Sequence, residues 1–218
     1  MKKSLVLFLF AMAMTASHAQ NNSVILSHYV LPEFTAGYVL QKNGAKNPSI
    51  LNYNSLSEEM VFESNGQKMA IAENQLSNID SVVIQTRKFI RFDGKFVEVL
   101  ASKDYTLYAE YKCNVTYPPR STGPGRTSQT SSSEQYSTLG QFGVFYELKL
   151  PDGFKIRPYI FYWIKSNGQW NKFKSFKQLQ KLYPEQKSNL KEYLKKYDPE
   201  ILSINDVSRL IHFLENAS

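Results

Sequence analysis

Tyr159, Phe161 and Trp163 stand two residues apart, and Trp170 follows shortly after. In an extended chain the first three share one face. Aromatic faces beside polar groups stack on sugar rings, so these four residues are candidates for a carbohydrate platform. The competing reading is a stripe of core residues. Lys187, Lys191 and Lys195 belong to a lysine-rich tail that could dock on acidic glycans or anionic lipid heads. Glu185, Glu192 and Glu215 dilute that charge, and the plainer reading is a solvated helix face. Glu58, Glu59 and Glu63 are the carboxylates nearest one another, and Glu59 and Glu63 would share a strand face. Paired carboxylates could hydrolyse a glycoside. An acidic solvated strand is the plainer account.

Other chemistries find little support. His18, His28 and His212 are the three histidines, and no HExxH or paired Cys/His spacing occurs. Neither a metal nor another cofactor is therefore expected. No Gly-x-Ser-x-Gly turn is present to expose a serine nucleophile. Gly123-Pro124-Gly125-Arg126 lacks the lysine and the spacing of a phosphate loop. Cys113 is the single cysteine, which excludes an internal disulfide. It alternates with Tyr105, Leu107, Ala109 and Tyr111 on one side of a strand, the setting of a buried small hydrophobe.

The elements that must position these residues follow from periodicity. Residues 20 to 34 form a lead-in. From Gly37 to Val115 the chain reads as short strands, with runs at Leu51–Asn54, Met60–Phe62, Asp80–Gln85, Lys88–Phe92, Lys95–Leu100 and Asp104–Val115. Asn65-Gly66 and Asp93-Gly94 are hairpin turns, since both residue types tolerate positive φ. Residues 116 to 138 have almost nothing to bury and read as a disordered loop, or as a flap over a binding surface. Alternation returns at Phe142, Val144, Tyr146, Leu148 and Leu150, and again from Lys155 to Lys165. The latter strand is apolar on both faces and is expected to be covered on both. From residue 171 onward the period becomes helical. Ser175 caps a first helix, Pro184 separates it from a second, and Asn205 or Asp206 caps a third. The expected fold is α+β: an antiparallel β-meander, barrel- or sandwich-like, over residues 20–170, then a basic three-helix segment over 171–218.

The first nineteen residues carry an address. Met1-Lys2-Lys3 is a positive start, Leu5 to Met14 is apolar, and Ser17-His18-Ala19 offers small residues for cleavage. That is the layout of a secretory signal peptide, too short for a membrane span. Export to the periplasm or the outer-membrane surface is expected, without a lipoprotein anchor, because Gln20 follows the cut. The formal charge of +7 loses Lys2 and Lys3 with the leader. What remains suits acidic partners. Nucleic acid is not expected in that compartment, although a helix-turn-helix in the basic tail is a second alternative.

Several segments resemble uncharacterised exported proteins of Bacteroidota. They are Leu51-Asn52-Tyr53-Asn54-Ser55-Leu56-Ser57-Glu58-Glu59-Met60-Val61-Phe62, Ile79-Asp80-Ser81-Val82, Arg87-Lys88-Phe89-Ile90, Phe96-Val97-Glu98-Val99-Leu100, and the tail from Phe176 through Leu190-Lys191-Glu192-Tyr193. The resemblance implies export and a shared architecture. It carries no activity, so no catalytic residue transfers. Asp80-Ser81-Val82 also resembles the short motif that bears O-glycans in such proteins, which would require Ser81 to be exposed. The functional expectation is a non-catalytic binding or scaffolding protein of the cell envelope. Its partner would be an envelope protein or an acidic glycan, with peripheral contact to an anionic membrane surface as a further possibility. The alternative is a hydrolase acting on an envelope polymer.

Overall fold

A computed structural model describes residues 27–100, 105–116, 120–121, 127–128, 146–150, 152–166 and 168–216. The leader expected at 1–19 lies outside them. Ten strands form one antiparallel sheet. The first four are β1 (Thr35–Gln41), β2 (Lys46–Asn54), β3 (Glu59–Ser64) and β4 (Gln67–Ala70). A short helix, α1 (Glu73–Leu76), returns the chain to the other side of β1. There β5 (Ile79–Ile84), β6 (Arg87–Phe92), β7 (Lys95–Val99) and β8 (Thr106–Thr116) continue the meander. A small ladder, β9 (Arg120–Ser121) with β10 (Thr127–Ser128), stands apart. The sheet is completed by β11 (Lys155–Ser166) and β12 (Gln169–Phe173). The strand order is β12-β11-β8-β7-β6-β5-β1-β2-β3-β4, so the chain runs as two meanders joined along β1 and β5. At that junction Gly37 lies so close to β5 that a Cβ would meet the Val83 carbonyl at 2.3 Å.

Local chemistry explains the turns. Asn65 and Gly66 both take positive φ (52° and 75°), as do Asp93 and Gly94 (49° and 77°), the geometry that matches strand twist. The sheet also curls. Four strands separate β2 from β8 in the ladder, yet the Tyr53 ring stacks on Phe89 at 5.9 Å and meets Tyr111 edge-on at 6.4 Å. The Ser55 carbonyl, in the β2–β3 turn, accepts a hydrogen bond from the Cys113 amide at 3.1 Å.

Inside this curl, Arg87 donates two hydrogen bonds to Glu98, each 2.8 Å, and a third to the Tyr111 hydroxyl at 2.8 Å. Tyr111 in turn donates to Glu98. Glu98 is buried, so its charge must be matched on the spot.

Three helices cover one face of β8, β11 and β12: α2 (Phe176–Leu182), α3 (Lys187–Tyr197) and α4 (Ile204–Asn216). Leu179, Leu190, Val207, Leu210, Ile211 and Leu214 join Leu107, Ile160, Tyr162, Ile164 and Phe173 in a single core. The Tyr162 hydroxyl donates to the Ile201 carbonyl at 2.8 Å and ties sheet to helices. Ser175 caps α2, its hydroxyl accepting from the Gln178 amide at 3.3 Å. The cap of α4 differs from expectation: Ser203, rather than Asn205 or Asp206, accepts the Asp206 amide at 3.2 Å. No helix among the described residues is long and apolar enough to cross a membrane.

Three expectations are corrected. The alternation at 142–150 does not yield a strand in its described part. Residues 146–149 bend instead, because Tyr29 donates to the Tyr146 carbonyl at 2.9 Å and the Tyr146 hydroxyl donates to Glu59 at 3.0 Å. The loop expected at 116–138 lies outside the described residues, apart from Thr116 and the β9–β10 ladder. Ser81 is fully buried, paired opposite Leu40 and Ile90, with its hydroxyl on Asp80 at 2.9 Å. It does not meet the exposure that an O-glycan requires. Cys113 is half-buried rather than buried.

Replacing Glu98 with Gln leaves Arg87 enclosed without its counter-charge. The expected loss is about 3 kcal/mol of unfolding free energy. Urea denaturation at neutral pH measures it, and a loss below about 1 kcal/mol would mean the network is not the clasp described here.

Candidate functional site

The candidate surface is the other face of the same three strands. Residues directly opposite in an antiparallel ladder point the same way. Trp163 lies opposite both Tyr108 on β8 and Lys172 on β12, Phe161 opposite Glu110, Tyr159 opposite Lys112, and Lys165 opposite Trp170. All of these alternate with Ile160, Tyr162, Ile164 and Phe173, which face the helices. The sheet thus has one sealed side and one aromatic, lysine-rich side. Coverage of both faces of β11 was expected, but Tyr159, Phe161 and Trp163 are only half-buried.

The rings form a continuous group. Phe92 meets Trp163 at 5.3 Å, Trp170 at 4.7 Å and Tyr108 at 5.1 Å. Trp170 stacks on Tyr108 at 5.0 Å, and Tyr159 touches Phe161 at 5.6 Å. Cations sit over them. Lys172 Nζ is 4.1 Å from the Phe161 centroid and 4.4 Å from that of Trp163. Lys174 lies 5.2 Å from Phe161 and 5.6 Å from Tyr159. A ring quadrupole attracts an ammonium in this position.

Glu110 is the electrostatic anchor. Its side chain is 4% exposed. It accepts the Trp163 indole N–H at 2.8 Å, and it pairs with Lys172 at 2.6 Å and Lys112 at 3.3 Å. Burial alone would raise its carboxyl. The bonds from Lys172 and Trp163, with the charges of Lys172 and Lys112, outweigh burial and hold it below the usual carboxylate range. Burial likewise opposes the Lys112 ammonium, but Glu58 and Glu110 hold it above the ordinary lysine range. Glu58, from the β2–β3 turn, pairs with Lys112 and also with Lys95. Between the lysines and the rings lies a cavity of about 300 Å³, walled by Phe92, Tyr159, Phe161 and Trp163, by Lys95, Lys112 and Lys172, and by the carboxylates Asp93 and Glu110.

The structure therefore brings Tyr159, Phe161, Trp163 and Trp170 to one face. It does not bring Lys187, Lys191 and Lys195 there. They are exposed on α3, whose Leu190 is buried on the helix-covered side of the sheet. The three glutamates separate: Glu58 leaves for the lysines, Glu59 accepts from Tyr146, and Glu63 remains half-exposed on β3. His28 is buried against Tyr29 at 4.7 Å, while His212 is exposed on α4 beside Asn216. The Cys113 thiol is pushed up to about 11 by burial, which makes it a poor nucleophile near neutral pH. Among the described residues no group of three or more His, Cys, Asp or Glu is placed to hold a metal ion.

Sequence reasoning missed Glu110, Lys112, Phe92 and Tyr108, and it placed Lys172 within the helical segment expected from residue 171, whereas it lies on β12. The alternation Thr106, Tyr108, Glu110, Lys112 along β8 was a usable signal. It acquires meaning only once β11 is known to lie beside it.

Comparison of the chain with protein-family models, curated proteins and solved structures gave no match. The surface must therefore be read from its own chemistry. Its class is an open aromatic and cationic face with an ionised carboxylate built into its floor.

Because Glu110 is held ionised, the stability it contributes is present above the unfolded carboxyl value of about 4.3 and is lost as pH falls through the lower folded value. A carbon-13 titration of Glu110 is expected to show a midpoint below that reference, and Lys172→Ala to raise it. A midpoint at or above the reference would contradict this electrostatic description.

Proposed function

We propose that this chain is a non-catalytic binding protein that takes an acidic glycan on the outer face of β8, β11 and β12. One observation carries the reading. Half-open Tyr159, Phe161 and Trp163 share a sugar-sized cavity with three lysines, which outnumber its two carboxylates, Asp93 and Glu110. Aromatic walls suit the apolar faces of sugar rings, and the ammonium groups suit their acid substituents. The favoured partner is thus an acidic glycan, ahead of an envelope protein or an anionic membrane.

The carboxylates support holding rather than hydrolysis. A glycosidase needs one carboxyl that stays protonated to deliver a proton. Glu110 is held ionised, and Glu58 is engaged by two lysines. Nucleic-acid docking by the helical tail has no comparable support. The site of action in this proposal is the periplasm or the outer-membrane surface. That part rests on the leader pattern at 1–19 and on the resemblance to exported Bacteroidota proteins. We read the curl of the sheet as a partly open barrel that stiffens the outer face.

The chain has two tryptophans, and both lie on this face. Intrinsic tryptophan fluorescence therefore reports on it alone. Titration with polygalacturonate should give a saturable change that weakens with added salt. Neutral dextran should give little change. Phe161→Ala and Lys172→Ala should each weaken binding about five- to tenfold, the cost of losing roughly 1 kcal/mol. The triple change Lys187→Ala, Lys191→Ala and Lys195→Ala should leave it unaltered. Equal binding of dextran, or loss of binding only in the triple variant, would overturn the proposal.

A further inference from the structure

Glu58 reaches the lysine cavity from the far end of the strand ladder. It closes the β2–β3 turn with a φ of 60°, a left-handed conformation that a glutamate rarely adopts. The turn is held in place by others. The Asn54 side-chain carbonyl accepts from the Leu56 amide at 2.9 Å and the Ser57 amide at 3.1 Å, and the Ser55 carbonyl accepts from Cys113 at 3.1 Å. What this holding achieves is the delivery of one carboxylate to Lys95 and Lys112.

The two carboxylates at this surface differ in kind. Glu110 is 4% exposed and is gripped by an indole N–H as well as by lysines. Glu58 is 25% exposed, sits on a turn, and has only the two ammonium groups as described partners. Lys112 is 15% exposed and already serves both glutamates, so an incoming anion must compete with them for its ammonium. Glu58 is the one that can leave.

We propose that Glu58 is an internal occupant of the anion site, and that an acid group of the ligand replaces it on Lys95 and Lys112. This rests on the glycan-binding reading above. The ligand chemistry it selects is a carboxylate attached to a sugar ring, as in a uronate polymer, because the group displaced is itself a carboxylate. Binding is then an exchange of one ion pair for another. The resident carboxylate lowers affinity, and it rejects neutral sugars that cannot displace it.

The test compares wild type, Glu58→Gln and Glu58→Gly by tryptophan fluorescence with polygalacturonate. Gln removes the charge at nearly constant shape. Gly removes the carboxylate and also suits the left-handed backbone, so a folded variant is secured. Both should bind about five- to tenfold more tightly than wild type. Binding by the variants but not by wild type would support the inference as well. Wild-type binding with equal or weaker binding by both variants would overturn it alone, since Glu58 would then be ordering the lysines rather than competing for them. Absence of binding in all three would overturn it together with the reading on which it rests.

Discussion

The register among β8, β11 and β12 is the constraint on which everything else depends. Side chains alternate strictly along a strand, so a one-residue slip exchanges the two faces completely. In the observed register Ile160, Tyr162 and Ile164 lie beneath the helices, and Tyr159, Phe161 and Trp163 are left outward. The helices favour this choice. Their apolar stripes share a core with that face, and the Tyr162 hydroxyl on the Ile201 carbonyl pins the arrangement. Hydrophobic burial on one side therefore produces the aromatic display on the other. The display itself need contribute little to stability.

Charge is handled differently in two places, and the difference lies in Glu58, which is 25% exposed where Glu98 and Glu110 are each 4% exposed. Inside the curl, Arg87, Glu98 and Tyr111 satisfy one another with well-directed bonds, and nothing there is open to exchange. On the outer face, Glu58 and Glu110 are shared among Lys95, Lys112 and Lys172, and the lysines remain partly in water. The first arrangement is a clasp, expensive to break. In the second, Glu110 is held as firmly, while the Glu58 pairs are the more solvent-screened. The β2–β3 turn connects them. Its backbone rests on Cys113, two residues beyond Tyr111, while its Glu58 reaches to the outer lysines.

Much of the architecture was legible in the sequence. The hairpin turns at Asn65-Gly66 and Asp93-Gly94, most strands and all three helical stripes follow from short-range patterns, which depend on neighbours alone. The aromatic set was legible too, because period two requires no knowledge of the partner strand. The failures were of another kind. Tyr146 alternates with apolar neighbours as a strand residue would, yet two tertiary hydrogen bonds bend its segment. Ser81 carries a surface-type motif and is fully buried opposite Leu40 and Ile90, while the adjacent Asp80 is exposed. Glu58 looked like one of a carboxylate trio, but it sits on a turn and pairs with Lys95 and Lys112, while Glu59 accepts from Tyr146. Each miss required a contact between residues distant in sequence. The motif Leu51–Phe62 now has a physical content: Asn52 binds the lead-in through the Leu31 and Glu33 carbonyls, and Asn54 shapes the turn.

The central claim is that the outer face of β8, β11 and β12 is where this protein meets its ligand. Backbone amide shifts, recorded by NMR while a uronate oligosaccharide is added, address it most directly. The expected result is a set of perturbed amides confined to the β6–β7 turn, the stretch 108–112, β11 from Tyr159 to Lys165, and β12. Perturbations centred on Lys187, Lys191 and Lys195 of α3, or none on the sheet at saturating oligosaccharide, would contradict it.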